Sequence, residues 1–247
     1  MTVIVGGILA GANQFLAPAQ QRSVELETKN QILGAVHNMV EVNKGDDVLE
    51  IYKNRINSIV VDFNGELVTK DQKGNDLVAE KVDVSKNYKL AKEARLYPVF
   101  MLVNAQNKDQ IEAYVVPVYG NGLWDRIWGY VALDSKLEKI VGVTLDHKGE
   151  TPGLGQRIAT SEIQDRYVGK SIYDNQGKLV SVDMMKGEHG GGDASIDYYK
   201  GEEHRVDGMS GATLTGNGVN NMLKSYLGAY QNYFNKVKGG NTTASAK

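Results

Sequence analysis

Near the C-terminus, apolar side chains recur at Val219, Met222, Leu223, Tyr226, Leu227, Tyr230, Tyr233, Phe234 and Val237. That i, i+3, i+4, i+7 spacing predicts an amphipathic helix beginning close to Thr215. Upstream the texture is different. Ile59–Phe63, Val99–Val103, Ala113–Tyr119, Gly129–Leu133 and Lys139–Leu145 are short, rich in β-branched and aromatic residues, and read as strands. The turn-rich segments between them suit antiparallel pairing. Lys178–Met185 reads as a further strand and Ser161–Tyr167 as a short helix. A polar helical stretch, about Gln20 to Val42, carries a patchy apolar face of Leu26, Ile32, Leu33, Val36, Met39 and Val40. Gly45-Asp46-Asp47 ends it.

Val3 to Ala17 is apolar, and no charge precedes Arg22. Two readings compete for this segment. One is a signal peptide cut at Ala17-Pro18-Ala19; the other is an uncleaved single membrane span, slightly under the ~20 residues usually needed. The proline inside the cleavage site and the lack of a basic leader favour the anchor. A buried core helix is a third reading. The fold class expected is α+β: a single N-terminal transmembrane helix, then an antiparallel-sheet-rich domain with flanking helices. The expected divisions are 1–19 anchor, 20–45 helical linker, 46–238 globular domain and 239–247 disordered tail.

Composition narrows the chemistry. A formal net charge of −2 over 247 residues leaves no basic surplus for nucleic acid phosphates. Zero Cys removes disulfides, cysteine-ligated zinc, iron–sulfur clusters and thiol nucleophiles. His37, His147, His189 and His204 form no His-x-x-x-His pair. Redox chemistry, if present, therefore needs an organic cofactor.

Three segments stand out. Asp207-Gly208-Met209-Ser210-Gly211-Ala212-Thr213-Leu214-Thr215 is a polar turn opening the C-terminal helix. Free amides and the positive end of a helix dipole suit a phosphate there, although an ordinary Ser/Thr N-cap has the same local look. His147-Lys148-Gly149-Glu150-Thr151-Pro152-Gly153-Leu154-Gly155 follows a strand and makes a tight loop that a planar ligand can approach. A plain surface turn is the alternative. Tyr119-Gly120-Asn121-Gly122-Leu123-Trp124 is Gly-flanked and aromatic, either a hairpin with core Trp or an apolar wall. Gly187–Asp193 lacks a following Gly-Lys-Thr, so it reads as a flexible loop and not a P-loop. His204 and Arg205 precede the polar turn. Arg205 either faces a phosphodiester or makes a surface ion pair.

The string from Asp207 to Thr213 resembles the covalent flavinylation motif (Asp-x-x-Ser/Thr-Gly-Ala-Thr) of bacterial redox-complex proteins. The resemblance implies FMN held by a phosphoester to Thr213, with Ser210, Gly211, Ala212 and Thr215 around the attachment point. Glu150-Thr151-Pro152-Gly153-Leu154-Gly155 is similar to the second signature of that FMN-binding family. It implies ring contacts at Glu150, Thr151, Gly153 and Leu154, with Leu123 and Trp124 close to the flavin.

Gly120-Asn121-Gly122-Leu123-Trp124 resembles the NqrC family, the C subunits of Na⁺-translocating NADH:quinone oxidoreductases, more than the paralogous G subunits of ferredoxin-linked complexes. The NqrC family implies an electron relay between NADH and quinone coupled to Na⁺ export. It also implies a bacterial inner-membrane location with the flavin domain on the periplasmic side. Its partners are the other subunits and a flavin transferase, and no nucleic acid is expected.

Overall fold

Strand β2, Tyr97–Val103, is buried along its whole length. Successive side chains of a strand point to opposite faces. Tyr97, Val99 and Met101 accordingly enter one hydrophobic core, and Phe100 and Leu102 enter another. The sheet must be covered on both sides, and it is. The computed structural model describes residues 2–43, 45–190 and 198–240, with backbone alone for 2–4, 7–10, 12, 13, 18, 19 and 21.

In chain order the elements begin with helix α1 (Thr2–Gly34), helix α2 (Val48–Arg55) and strand β1 (Ile56–Val61). A one-turn helix α3 (Val84–Asn87) precedes β2. Strands β3 (Ile111–Asn121), β4 (Arg126–Asp134) and β5 (Ile140–His147) follow. Then come a 3-10 turn at Gly155–Ala159, the short helix α4 (Ser161–Gln164), strands β6 (Asp183–Met184) and β7 (Arg205–Val206), and helix α5 (Thr213–Lys238). Strands β1 to β5 form an antiparallel meander in sequence order. Each of the five strands read from the sequence has its counterpart there, so the antiparallel α+β class holds.

Helix α5 covers one face. Val219, Met222, Leu223, Tyr226, Leu227, Tyr230, Tyr233 and Phe234 are all buried, each large apolar side chain contributing about 1.5–3 kcal/mol on burial. Tyr230 donates its hydroxyl to Pro98 O at 2.7 Å, and its ring meets Tyr97 edge-on at 5.2 Å. Near its start the helix lies almost on the backbone of β3: a Cβ built on Gly218 would sit 2.4 Å from Asn121 O. The other face is covered by α2, by the end of α1 and by the turns after it, where Ile32, Leu33, Ala35, Val36 and Val40 are buried. Thr144 of β5 donates to Gln31 O at 3.0 Å, fastening that end.

Two expectations change. The strand expected over Lys178–Met185 is reduced to Asp183–Met184, which pairs in parallel with Arg205–Val206. Asp174 accepts from the amides of Gln176 and Lys178 and closes a turn there, and Ser181 takes a left-handed φ of 67° that breaks the extended run. At the N-terminus one continuous helix, Thr2–Gly34, replaces an anchor followed by a separate helical stretch. Among the described residues no helix is long and apolar enough to cross a membrane. The glycine run from Gly191 onward and the polar tail from residue 241 lie outside the described residues.

Candidate functional site

Glu150 is the point where three elements meet. Its side chain is only 4% exposed. Oε1 accepts from the Trp124 amide of the β3–β4 turn at 3.0 Å, and Oε2 accepts from the Thr215 hydroxyl on α5 at 2.5 Å. Its own amide donates to His147 Nδ1 at 3.2 Å, shaping the loop after β5. The carboxylate fits because two neighbours have no side chain. A Cβ on Gly122 would lie 2.4 Å from Oε1, and one on Gly155 would lie 2.6 Å from Oε2. The Trp124 indole donates to Thr151 Oγ1 at 3.1 Å, a second link between turn and loop.

Around this buried hub four apolar side chains are exposed. Leu123 is 44% exposed, Trp124 69%, Leu154 40% and Leu214 59%. Leu154 reaches the polar turn before α5: a Cβ on Gly211 would be 3.0 Å from its Cδ2.

Thr213 is the first residue of α5. The N-cap position is Ala212, and no side chain caps the helix. Gly216 N, donating to Ala212 O at 3.0 Å, is the first helix amide with a carbonyl partner. The amides of Thr213, Leu214 and Thr215 have none among the described residues. Such orphan N–H groups, with the helix dipole behind them, suit an anion. The Thr213 side chain is half-buried, and its hydroxyl also has no partner among the described residues. The ordinary Ser/Thr cap considered for this sequence is absent.

The turn leading to Thr213 is held from beneath. Asp207 is fully buried and accepts from His189 N, Gly190 N, Gly208 N and His189 Nδ1 at 2.8–3.1 Å. Burial opposes its charge, but the amides of Gly190 and His189 and the His189 ring together hold the carboxyl below its usual range. Arg166, nearly inaccessible, donates to Asp207 O and Gly208 O. Its other nitrogen meets Glu162 and Glu188, and Arg157 bonds the same two carboxylates.

Residues 122–228 match the FMN-binding domain family. The C subunit of the Na⁺-translocating NADH-quinone reductase of Neisseria meningitidis serogroup B is 32% identical over 250 residues, covering 96% of this chain and 91% of that protein. Its Pasteurella multocida counterpart is 30% identical, covering 94% and 89%. The chain belongs to the NqrC family, the C subunits of Na⁺-translocating NADH-quinone reductases. The crystal structure of the Parabacteroides distasonis member superposes with a TM-score of 0.68 at 29% identity, covering 89% of this chain and 96% of that one.

In this NqrC-family chain the fold brings the expected residues Trp124, Glu150, Thr151, Leu154, Gly211 and Thr215 into one set of contacts beside Thr213, with Leu123 exposed next to Trp124. Gly153 takes a left-handed φ of 73° in the exposed loop, and Ser210 is exposed, its amide 3.4 Å from Glu188 Oε2. Arg205 pairs with Glu202 at 3.1 Å on the surface. The sequence pattern does not single out Arg157, Glu162, Arg166 or Glu188. Isolated charges near short helices carry no periodic signal, and their burial is created only when the chain closes.

The residues fit a phosphate-linked flavin. The uncapped helix start supplies donors for the phosphate. The half-buried Thr213 hydroxyl is free for attachment, and Leu154, Trp124 and Leu123 offer an apolar platform for a ring system.

Proposed function

We propose that this chain carries one FMN through a phosphoester to Thr213 Oγ1 and relays electrons with it inside a Na⁺-translocating NADH-quinone reductase, between NADH and quinone. When bound, the flavin supplies the redox chemistry. The protein's part is to hold and shield. The amides at the start of α5 would stabilise the phosphodiester charge, Leu154 and Trp124 would shield the ring system from water, and Glu150 keeps the β3–β4 turn and α5 in register. The Thr213 hydroxyl gives up its proton and takes the FMN phosphoryl group from a flavin phosphoanhydride, whose P–O–P bond breaks and whose other phosphate leaves, so that the residue serves as a tether. A separate flavin transferase forms the phosphoester.

The free hydroxyl of Thr213 at an uncapped helix start, beside exposed Leu154, is the observation that carries this reading. Chain produced together with a flavin transferase is tested by in-gel fluorescence after denaturation and by intact mass. One phosphoryl-linked FMN per chain supports it, and loss of all fluorescence on denaturation contradicts it.

The same reading puts the domain on the periplasmic side of the bacterial inner membrane, in contact with the other members of the complex. The outer part of α1 exposes Val5, Phe15 and Leu16, apolar surface suited to lipid or to a neighbouring protein's helix. Fractionation should find the chain in membranes, with its N-terminus upstream of Gln20. Soluble exported protein starting at Gln20 would establish a cleaved signal peptide instead.

A further inference from the structure

Four charges are gathered in the wall behind the turn. Side-chain exposure is 2% for Arg166, 6% for Glu188, 21% for Arg157 and 26% for Glu162. Glu188 is the hub. Arg157 reaches both of its oxygens, Nη1 at 2.8 Å and Nη2 at 2.7 Å, and Arg166 Nη2 reaches Oε1 at 3.0 Å. Two planar guanidinium groups on one carboxylate fix orientation in a way that apolar contact does not.

What the hub connects is specific. Arg157 sits on the 3-10 turn that begins immediately after Leu154. Arg166 holds the carbonyls of Asp207 and Gly208 at 3.2 and 2.8 Å, and Glu188 itself faces the Ser210 amide. The network therefore grips the polypeptide at 207, 208 and 210 on one side and just past the apolar loop on the other.

We propose that Glu188 is a positioning residue: through Arg157 and Arg166 it sets the distance between the Thr213 attachment turn and the Leu154 loop, so that a flavin tethered at the first lands on the second. This rests on the Thr213 reading above. Without Glu188 only the more exposed Glu162 remains between the two arginines, the bidentate hold on Arg157 is gone, and the turn loses its contact at the Ser210 amide. Thr213 is then presented in several orientations, and the tethered ring leaves its platform. Loss of the carboxylate also leaves uncompensated positive charge behind the turn, which favours an electron arriving on a nearby flavin.

The test uses full chain carrying Glu188→Gln, with Arg157→Gln as a second variant that removes only the more exposed partner and leaves buried Arg166 in place. Glu112→Gln is the control. It breaks the Arg55–Glu112 ion pair of 2.6 Å, nine residues along β3 from Asn121 and so about 30 Å from the site. Three quantities are read: the rate of FMN attachment by a flavin transferase, the fluorescence anisotropy of the attached flavin, and its midpoint potential.

Both site variants are expected to slow attachment by roughly ten- to a hundredfold, the scale of a misplaced reacting group. They should also lower the anisotropy; Glu188→Gln, which removes a negative charge, should move the potential to more positive values and Arg157→Gln, which removes a positive one, to more negative values, while Glu112→Gln loses stability alone. If Glu188→Gln and Arg157→Gln both match the control in all three, the positioning role is overturned. Should Glu188→Gln not fold, Arg157→Gln decides the matter. Peptide mapping of the wild type keeps the two claims apart. An adduct away from Thr213 refutes the attachment reading, whereas an adduct at Thr213 with unmoved variants refutes the positioning role only.

Discussion

Thr213 and Thr215 stand two residues apart on the first turn of α5, and only Thr215 has its hydroxyl committed, to Glu150 at 2.5 Å with 1% of the residue exposed. Among the described residues the Thr213 hydroxyl is half-open and unengaged, and that of Thr215 is sealed. The chain's geometry thereby separates two residues that a motif alone leaves adjacent.

Replacing Thr215 with Val keeps its shape and removes the donor. The buried Glu150 carboxylate then lacks one partner, and unfolding free energy should fall by about 1–3 kcal/mol. Covalent FMN should remain at Thr213. Denaturant unfolding and peptide mapping check both halves, and a variant that loses its FMN would show that Thr215 takes part in attachment.

Trp124→Ala removes a side chain that is largely exposed, so stability should change by no more than about 0.5 kcal/mol. The visible spectrum and midpoint potential of the flavin should nevertheless move, and Leu154→Asp should act in the same direction on the spectrum. A redox titration in which both variants follow the wild type would show that the ring rests elsewhere.

Acid should loosen the turn before Thr213. Arg157 holds the Glu188 carboxyl down at about 2, against an ordinary value of 4.5, outweighing the effect of burial. A depressed folded-state value contributes stability that is complete above the unfolded value and is lost as pH falls through the folded one. Stability from this group should thus decline between about pH 4.5 and 2, and Glu188→Gln should flatten that limb of the curve. Thermal unfolding across this range measures it; parallel curves for variant and wild type would contradict the assignment.

Helix α5 was legible because one-sided burial writes its period into the sequence, the stripe from Val219 to Phe234 being the face that meets the sheet; β2, buried on both faces, was legible instead as a short continuous apolar run. Helix α2 was readable in principle, since Asp47 caps it through the amides of Leu49 and Glu50, yet eight mixed residues offer little periodicity. The region from Lys178 to Met185 misled because β-branched residues outweighed the turn at Asp174 and the left-handed Ser181. Glu150 could be found from its motif, but its bonds to Trp124 and Thr215 join positions 26 and 65 residues away. The Arg157–Glu188 link likewise spans 31 residues. No local pattern encodes such pairings.

The most direct test of covalent attachment is intact and peptide-level mass measurement on wild type and Thr213→Ala, each produced with a flavin transferase. Thr213 is not the cap of α5, and alanine is a strong helix former, so the variant should fold normally. The expected result is one FMN-phosphoryl adduct on Thr213 in the wild type and none anywhere in Thr213→Ala. An adduct that persists in the variant, on Thr215 or elsewhere, would contradict it.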